Sequence, residues 1–179
     1  MKRLLSAALA ASLAQAASAG ASKLPLPPGS GQAAYRSECG GCHLAYPPQL
    51  LSAQSWSRLV AGLSRHFGSD ASLDAATAAT IGAYLQANAG SPRRFGTGAD
   101  RISATRWFRH EHDEVPAAVW TSPAVGSAAN CGACHTGAER GDYGERTVRL
   151  PLTRTATPRG ESGAEKRTVV PHIRLEKFR

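Results

Sequence analysis

CGGCH at residues 39–43 and CGACH at residues 131–135 contain all four cysteines of the chain, Cys39, Cys42, Cys131 and Cys134. Each run is a C-x-x-C pair followed at once by a histidine, His43 in one and His135 in the other. C-x-x-C-H is the attachment sequence of c-type haem. Two thiols a helical turn apart add across the two vinyl groups on one porphyrin edge. The next residue swings its imidazole beneath the ring and becomes the proximal iron ligand. The small residues between the cysteines, Gly40 and Gly41, then Gly132 and Ala133, let the backbone lie close to the ring edge. Other uses of paired cysteines fit less well. A four-thiolate zinc site has no need of a histidine after each pair. A thioredoxin-like pair belongs in a βαβ setting, which neither run has. Disulfides between such near neighbours would staple very little chain. The sequence therefore points to two covalently bound haem c groups, with His43 and His135 as proximal ligands.

Covalent haem attachment takes place after export, and the N-terminus agrees with that. In MKRLLSAALAASLAQAASAG, Lys2 and Arg3 precede an alanine-rich apolar run, and Ala17, Ser18 and Ala19 offer small residues for cleavage. Residues 1–19 are expected to be a signal peptide. The apolar run at 4–14 is too short to span a bilayer, and no later segment approaches the necessary length. The expected location is the periplasm, without a membrane span. Cleavage leaves 160 of the 179 residues, enough for one domain or two small ones. Aromatic residues make up only 6% of the chain, too little bulk for two cores without the haems. The formal charge of +8 falls to +6 when Lys2 and Arg3 leave, and residues 140–179 carry ten basic and five acidic residues. The body is thus close to neutral, and the basic character belongs to the tail. No nucleic-acid-binding motif accompanies it, and export argues against such a partner.

Residues 20–32 are rich in proline, glycine and serine and read as a leader. A helix is expected over 33–43, with Tyr35, Cys39 and Cys42 on one face. A second is expected over 52–67, where Trp56, Leu59, Val60, Leu63 and Phe67 recur at i, i+3, i+4, i+7 and i+11. Ser52 is placed to cap its start and Gly68 its end. A third, over 73–88, carries Ala78, Ile81, Tyr84 and Leu85 on one stripe, and Gly90 and Pro92 stop it. Haem motif, helix, loop and a closing helix with an I-x-x-Y-L stripe resemble a single-haem class I cytochrome c over residues 30–90. The expected fold is mainly α, with a class I-like haem domain at 33–92 and a linker at 93–101. A smaller, less regular second haem domain follows at 102–151, and then a disordered basic tail at 152–179. The proximal histidines lie 92 residues apart, but no self-similarity outside the motifs supports a duplication.

A low-spin haem needs a sixth iron ligand, usually methionine or histidine. The one methionine is Met1, which leaves with the signal peptide, so histidines must serve both irons. The candidates are His66, His110, His112 and His172. His66 lies on the apolar stripe with Leu59 and Leu63, ahead of the closing helix, and is assigned to the first haem. His172, in VVPHIRLEK within the tail, reads as a surface histidine. The second haem is left with His110 or His112 from WFRHEHDEV at 107–115. In a helix these two point about 160° apart, whereas in an extended segment both can face the ring. The residues themselves leave them nearly tied. One spacing leans toward His112, which precedes His135 by 23 residues, as His66 follows His43 by 23.

CGGCHLAYPPQLL, the HFG at 66–68, AATAATIGAYL, RISATRWFRHEHDEV and NCGACHTGAERGDYGERTVRLP together resemble the dihaem cytochrome c family of exported bacterial electron carriers. The likeness covers residues 33–151. It implies His43 and His66 on the first haem, and His135 and His112 on the second. His110 is the alternative there, although it occupies a usually basic position. It also implies redox partners such as a membrane cytochrome b and a small oxygen-binding haem protein, which nothing in the sequence itself names. Nitrogen ligands on both sides of each iron leave no open position for substrate. The expected function is therefore a single-electron carrier without catalytic residues, with potentials below those of His/Met cytochromes. Two readings compete: the small dihaem subunit of a periplasmic nitrate reductase, and a haem enzyme or gas sensor with one five-coordinate haem. Since two haems would supply the bulk that the scarce aromatics do not, the chain without them is expected not to fold stably. A compact apo-protein that melts cooperatively in calorimetry would contradict this.

Overall fold

A computed structural model describes residues 23–151. The expected signal peptide at 1–19, the first residues of the leader, the expected disordered tail at 152–179 and His172 lie outside the described residues. The fold is mainly helical, and among the described residues there is no β-strand, only isolated bridges.

Helix α1 spans Gln32–Gly40. It stops short of the expected 33–43 because Gly40 and Gly41 stand in succession, and glycine loses the most backbone freedom in a helix. Cys39 is therefore helical and Cys42 lies beyond the helix end. Helix α2 spans Ala53–Ala61, and Ser52 caps it by accepting from the Ser55 N–H. It ends at Gly62 instead of continuing to Phe67. The Gly62 N–H donates to the carbonyls of both Arg58 and Leu59, tightening the last turn, and a 3₁₀ turn follows at Leu63–Arg65. His66 leaves helical geometry at ψ 88°, and Phe67 takes φ +52°. The Ala71 N–H closes this loop on the Leu63 carbonyl. Gly68 thus belongs to the loop and not to a helix cap. Helix α3 spans Ala75–Ala87, with the Asp74 carboxylate accepting from the N–H groups of Ala76 and Thr77.

α1, α2 and α3 pack around Tyr35, Leu51, Trp56, Ile81, Tyr84 and Leu85, each at most 6% exposed. The polar tips of the three aromatics all find carbonyls. Tyr35 Oη donates to Tyr46 O at 2.6 Å, Trp56 Nε1 to Pro48 O at 2.7 Å, and Tyr84 Oη to Pro27 O at 2.9 Å. Buried rings of this kind gain apolar contact without leaving a donor unpaired. They also pin the leader and the 44–50 segment to the helices, which sets where His43 emerges.

Beyond α3 the elements shorten. Helix α4 spans Pro92–Phe95, α5 Arg106–Glu111 and α6 Ala117–Trp120. Three 3₁₀ turns follow, at Cys131–Ala133, Ala138–Arg140 and Glu145–Thr147. The buried apolar residues here are few: Phe95, Phe108, Val119, Val125 and Ala138. The stretch expected as a linker carries the buried Phe95, whose ring meets Trp107 edge-on at 5.1 Å, and Asp100, which pairs with Arg58 of α2 at 2.6 Å. The leader crosses to this part of the chain. Leu24 N–H donates to Gly141 O at 2.7 Å, and Lys23 Nζ meets the Asp142 carboxylate at 2.7 Å.

Gly90 marks the tightest approach. Its N–H donates to Leu51 O at 2.8 Å, and a Cβ there would run into the Gln49 carbonyl oxygen and the Phe95 ring. Both obstacles are held, one by backbone and one by packing. Gly90→Ala is expected to cost about 1–3 kcal/mol, as overpacking does, read as a lowered midpoint in denaturant unfolding of the haem-loaded protein.

Candidate haem sites

The first histidine pair forms where α1 and α2 end. His43 follows directly on Cys42, in the segment that the Tyr35–Tyr46 hydrogen bond ties to the core. Its Nδ1 lies 2.7 Å from Leu44 O. A carbonyl accepts only, so Nδ1 carries the proton and Nε2 keeps its lone pair for a metal. The Tyr46 ring stacks on His43 with centres 4.9 Å apart and planes 21° apart. The His66 ring lies near that of His43, with ring centres 6.1 Å apart and planes 20° apart. Burial, then the neighbouring His43 and Arg101, push the His66 imidazolium below its ordinary range, which favours the neutral form that binds metal. Phe67, 47% exposed, lies beside His66 with the Arg101 guanidinium 3.8 Å from its ring centre.

The second pair is built on α5. Thr105, buried, caps this helix, accepting from the Phe108 N–H and donating to Ile102 O. His112 sits at the other end, and its Nδ1 lies 2.9 Å from Phe108 O, the same tautomer-fixing contact as in the first pair. Phe108 stacks on it at 4.1 Å, and Trp120 meets it edge-on at 5.7 Å. His135 follows the Cys131–Ala133 turn, its N–H donating to Cys131 O. The rings of His112 and His135 have centres 6.1 Å apart. Burial depresses both imidazoliums; the Phe108 carbonyl and Glu111 oppose this at His112, and Asp142 opposes it at His135. His110, in the last turn of α5, is exposed, whereas the ring neighbours of His135 are His112 and Tyr143.

These distances test whether a haem fits. A coordinating imidazole nitrogen lies about 2 Å from its metal and the ring centre roughly 1 Å further, so two rings on opposite sides of one ion have centres about 6 Å apart. Both pairs meet this spacing. Their interplanar angles, 20° and 83°, differ freely, because turning a ring about the metal–nitrogen axis leaves the bond unchanged. Among the described residues no cluster of three or more His, Cys, Asp or Glu is arranged for a metal ion. Opposed pairs suit an iron whose other four ligands come from a macrocycle.

No disulfide joins the four cysteines; Cys42 is exposed and the others are partly buried. Before attachment, burial pushes the Cys39 thiol up to about 11, with Glu38 adding to it, and the Cys131 thiol also to about 11. Burial raises Cys134 in the same direction. Three features escaped the sequence reading: the Tyr46 stack on His43, the Phe108 stack on His112, and the two carbonyls that receive Nδ1. Phe108 and His112 are four apart, the spacing of neighbours on one helix face, and that signal was available. The carbonyl partners depend on local backbone direction, which residue types do not show.

A profile of the family described as dihaem cytochrome c matches residues 35–143. No curated protein matches the chain. Among solved structures, the chain is similar to a dihaem cytochrome c from Shewanella baltica, with 40% identity and a TM-score of 0.61 over 68% of this chain and 94% of that one. A dihaem cytochrome c from Rhodobacter sphaeroides is 44% identical, with a TM-score of 0.55 over 62% of this chain and 95% of that one. A second structure from Rhodobacter sphaeroides gives 44% identity and a TM-score of 0.52, over 62% and 96% of the two chains.

Because the Thr105 side chain caps the first turn of α5, Thr105→Ala is expected to cost about 1–2 kcal/mol. Chemical denaturation of the haem-loaded protein reads this, and hydrogen exchange should show the loss concentrated in residues 105–112.

Proposed function

The chain belongs to the dihaem cytochrome c family, and from that premise we propose that it is a periplasmic carrier of single electrons whose two haems are each held between two histidines. It carries two covalently bound haem c groups, at Cys39 and Cys42 and at Cys131 and Cys134. In this reading His43 and His66 bind the first iron, and His135 and His112 the second. The carrying observation is the matched 6.1 Å spacing of the two opposed pairs. His110 is set aside because it is exposed, while His112 is the α5 histidine that faces His135.

The haem iron supplies a reversible one-electron change. The protein's part would be to hold the irons with these four histidines, leaving no place for another ligand, and to keep their rings oriented. Leu44 O and Phe108 O fix the tautomers of His43 and His112, and Phe108 and Trp120 shield His112 from water. With both positions taken by nitrogen, no substrate reaches the metal, which favours electron transfer over catalysis. Periplasmic location rests on the N-terminal sequence; no described helix is long and apolar enough to cross a membrane. A class I-like haem domain at 33–92 and a second at 102–151, joined through 93–101, suit the concentration of the main core in α1 to α3. The partners proposed are redox proteins, with a membrane cytochrome b and a small oxygen-binding haem protein as those the family resemblance suggests.

Separate replacement of His66, His110 and His112 by alanine tests the ligand set. The unaltered protein should show two low-spin haems and no spectral change with CO after reduction. His66→Ala and His112→Ala should each turn one of the two haems high-spin and open it to CO, while His110→Ala stays low-spin. CO binding by the unaltered reduced protein, or a high-spin haem in His110→Ala with His112→Ala still low-spin, would overturn the proposal.

A further inference from the structure

We propose that Tyr46 is the residue that couples the two haem sites, its ring against the ligand of one and its hydroxyl bound to the attachment turn of the other. The inference rests on the assignment of His43 and Cys131 to different haems. The Tyr46 ring lies stacked on His43. At its far end Tyr46 Oη donates to Ala129 O at 2.7 Å, across 83 residues of sequence. The same carbonyl accepts the backbone N–H of Cys131 at 3.0 Å, and the Cys131 sulfur lies 3.7 Å from it. An unbroken series of contacts therefore runs from His43 through the Tyr46 ring and hydroxyl to Ala129 O, and from there into Cys131.

Tyr46 is held firmly enough to serve. Its own carbonyl accepts Tyr35 Oη at 2.6 Å, and Pro47 and Pro48, which follow it, are buried. One side chain thus takes its position from the main core and passes that position to the second haem turn. Two other cross-ties, Lys23 with Asp142 and Leu24 N–H with Gly141 O, reach the second region through the leader and touch neither His43 nor Cys131. When one electron passes between the sites, one iron is oxidised by one unit and the other reduced by one unit. Tyr46 gains and loses neither a proton nor an electron; it is a positioning residue and a route.

The test uses the haem-loaded protein with Tyr46→Phe, Tyr46→Leu and, as control, Lys23→Met. Three readouts are taken: the Soret circular dichroism couplet, which reports interhaem orientation, the thermal midpoint, and the concentration-independent relaxation that follows rapid one-electron reduction. Tyr46→Phe removes one oxygen and should slow that relaxation several-fold while both haems stay low-spin and the couplet keeps its shape. Tyr46→Leu, which also removes the stacked ring, should slow it further. Lys23→Met should leave the rate unchanged. Unaltered rates in both Tyr46 variants would overturn the proposal. So would slowing that appears only alongside a changed couplet, or equally in Lys23→Met, since either assigns Tyr46 to domain packing alone. A failure of the underlying electron-carrier reading is distinguishable, because it shows as a high-spin or CO-binding haem in the unaltered protein.

Discussion

An iron held in a macrocycle presents two axial positions on opposite faces, and a histidine fills one only if its ring stands edge-on with the lone pair forward. The four histidines proposed as ligands are placed in keeping with that demand. It asks for pairs of imidazoles about 6 Å apart, centre to centre, and for a carbonyl behind a ring to hold the proton away from the metal. Both pairs meet the spacing. Leu44 O stands behind His43 and Phe108 O behind His112. The helices are arranged to deliver these rings: α1 ends just before His43, α2 breaks so that His66 turns toward it, and α5 ends at His112.

The two halves meet the demand differently. In the first, three helices and a cluster of buried aromatics set the backbone, and the polar tips of Tyr35, Trp56 and Tyr84 tie the loops to it. In the second, short helices and 3₁₀ turns carry few buried apolar residues, and aromatic rings gather around His112 instead. Packing directed at His112, the proposed ligand, replaces a general core there. The second half also leans on the first, through the leader contacts at Gly141 and Asp142 and through Tyr46 at Ala129. Tyr46 is a cross-tie that touches a proposed iron ligand.

Much of this was legible in the residues. Two C-x-x-C-H runs define two covalent haems because thioether attachment needs that spacing. The absence of any methionine beyond Met1 directs the proposed axial donors to histidine. The stripes through Trp56 and through Ile81, Tyr84 and Leu85 located α2 and α3, since burial on one helix face follows a period that a sequence displays. The end of α2 was misread. The apolar period continues to Phe67, but Gly62 breaks the helix and the bifurcated hydrogen bonds there begin a tighter turn. Periodicity records which side chains are apolar, not whether the backbone between them stays helical.

What the sequence by itself determined is chemical composition: two covalent haems, four cysteines available to attach them, and a short list of histidines from which ligands are proposed. What only the tertiary structure decided is direction. Whether His110 or His112 faces His135 depends on where α5 stops, and helical and extended geometry give opposite expectations for a pair two residues apart. The break at Gly62 likewise turns His66 toward His43, and the fold brings Ala129 to the hydroxyl of Tyr46. Residue types carry the capacity to bind, whereas the bearing of each ring comes from backbone angles that distant packing sets.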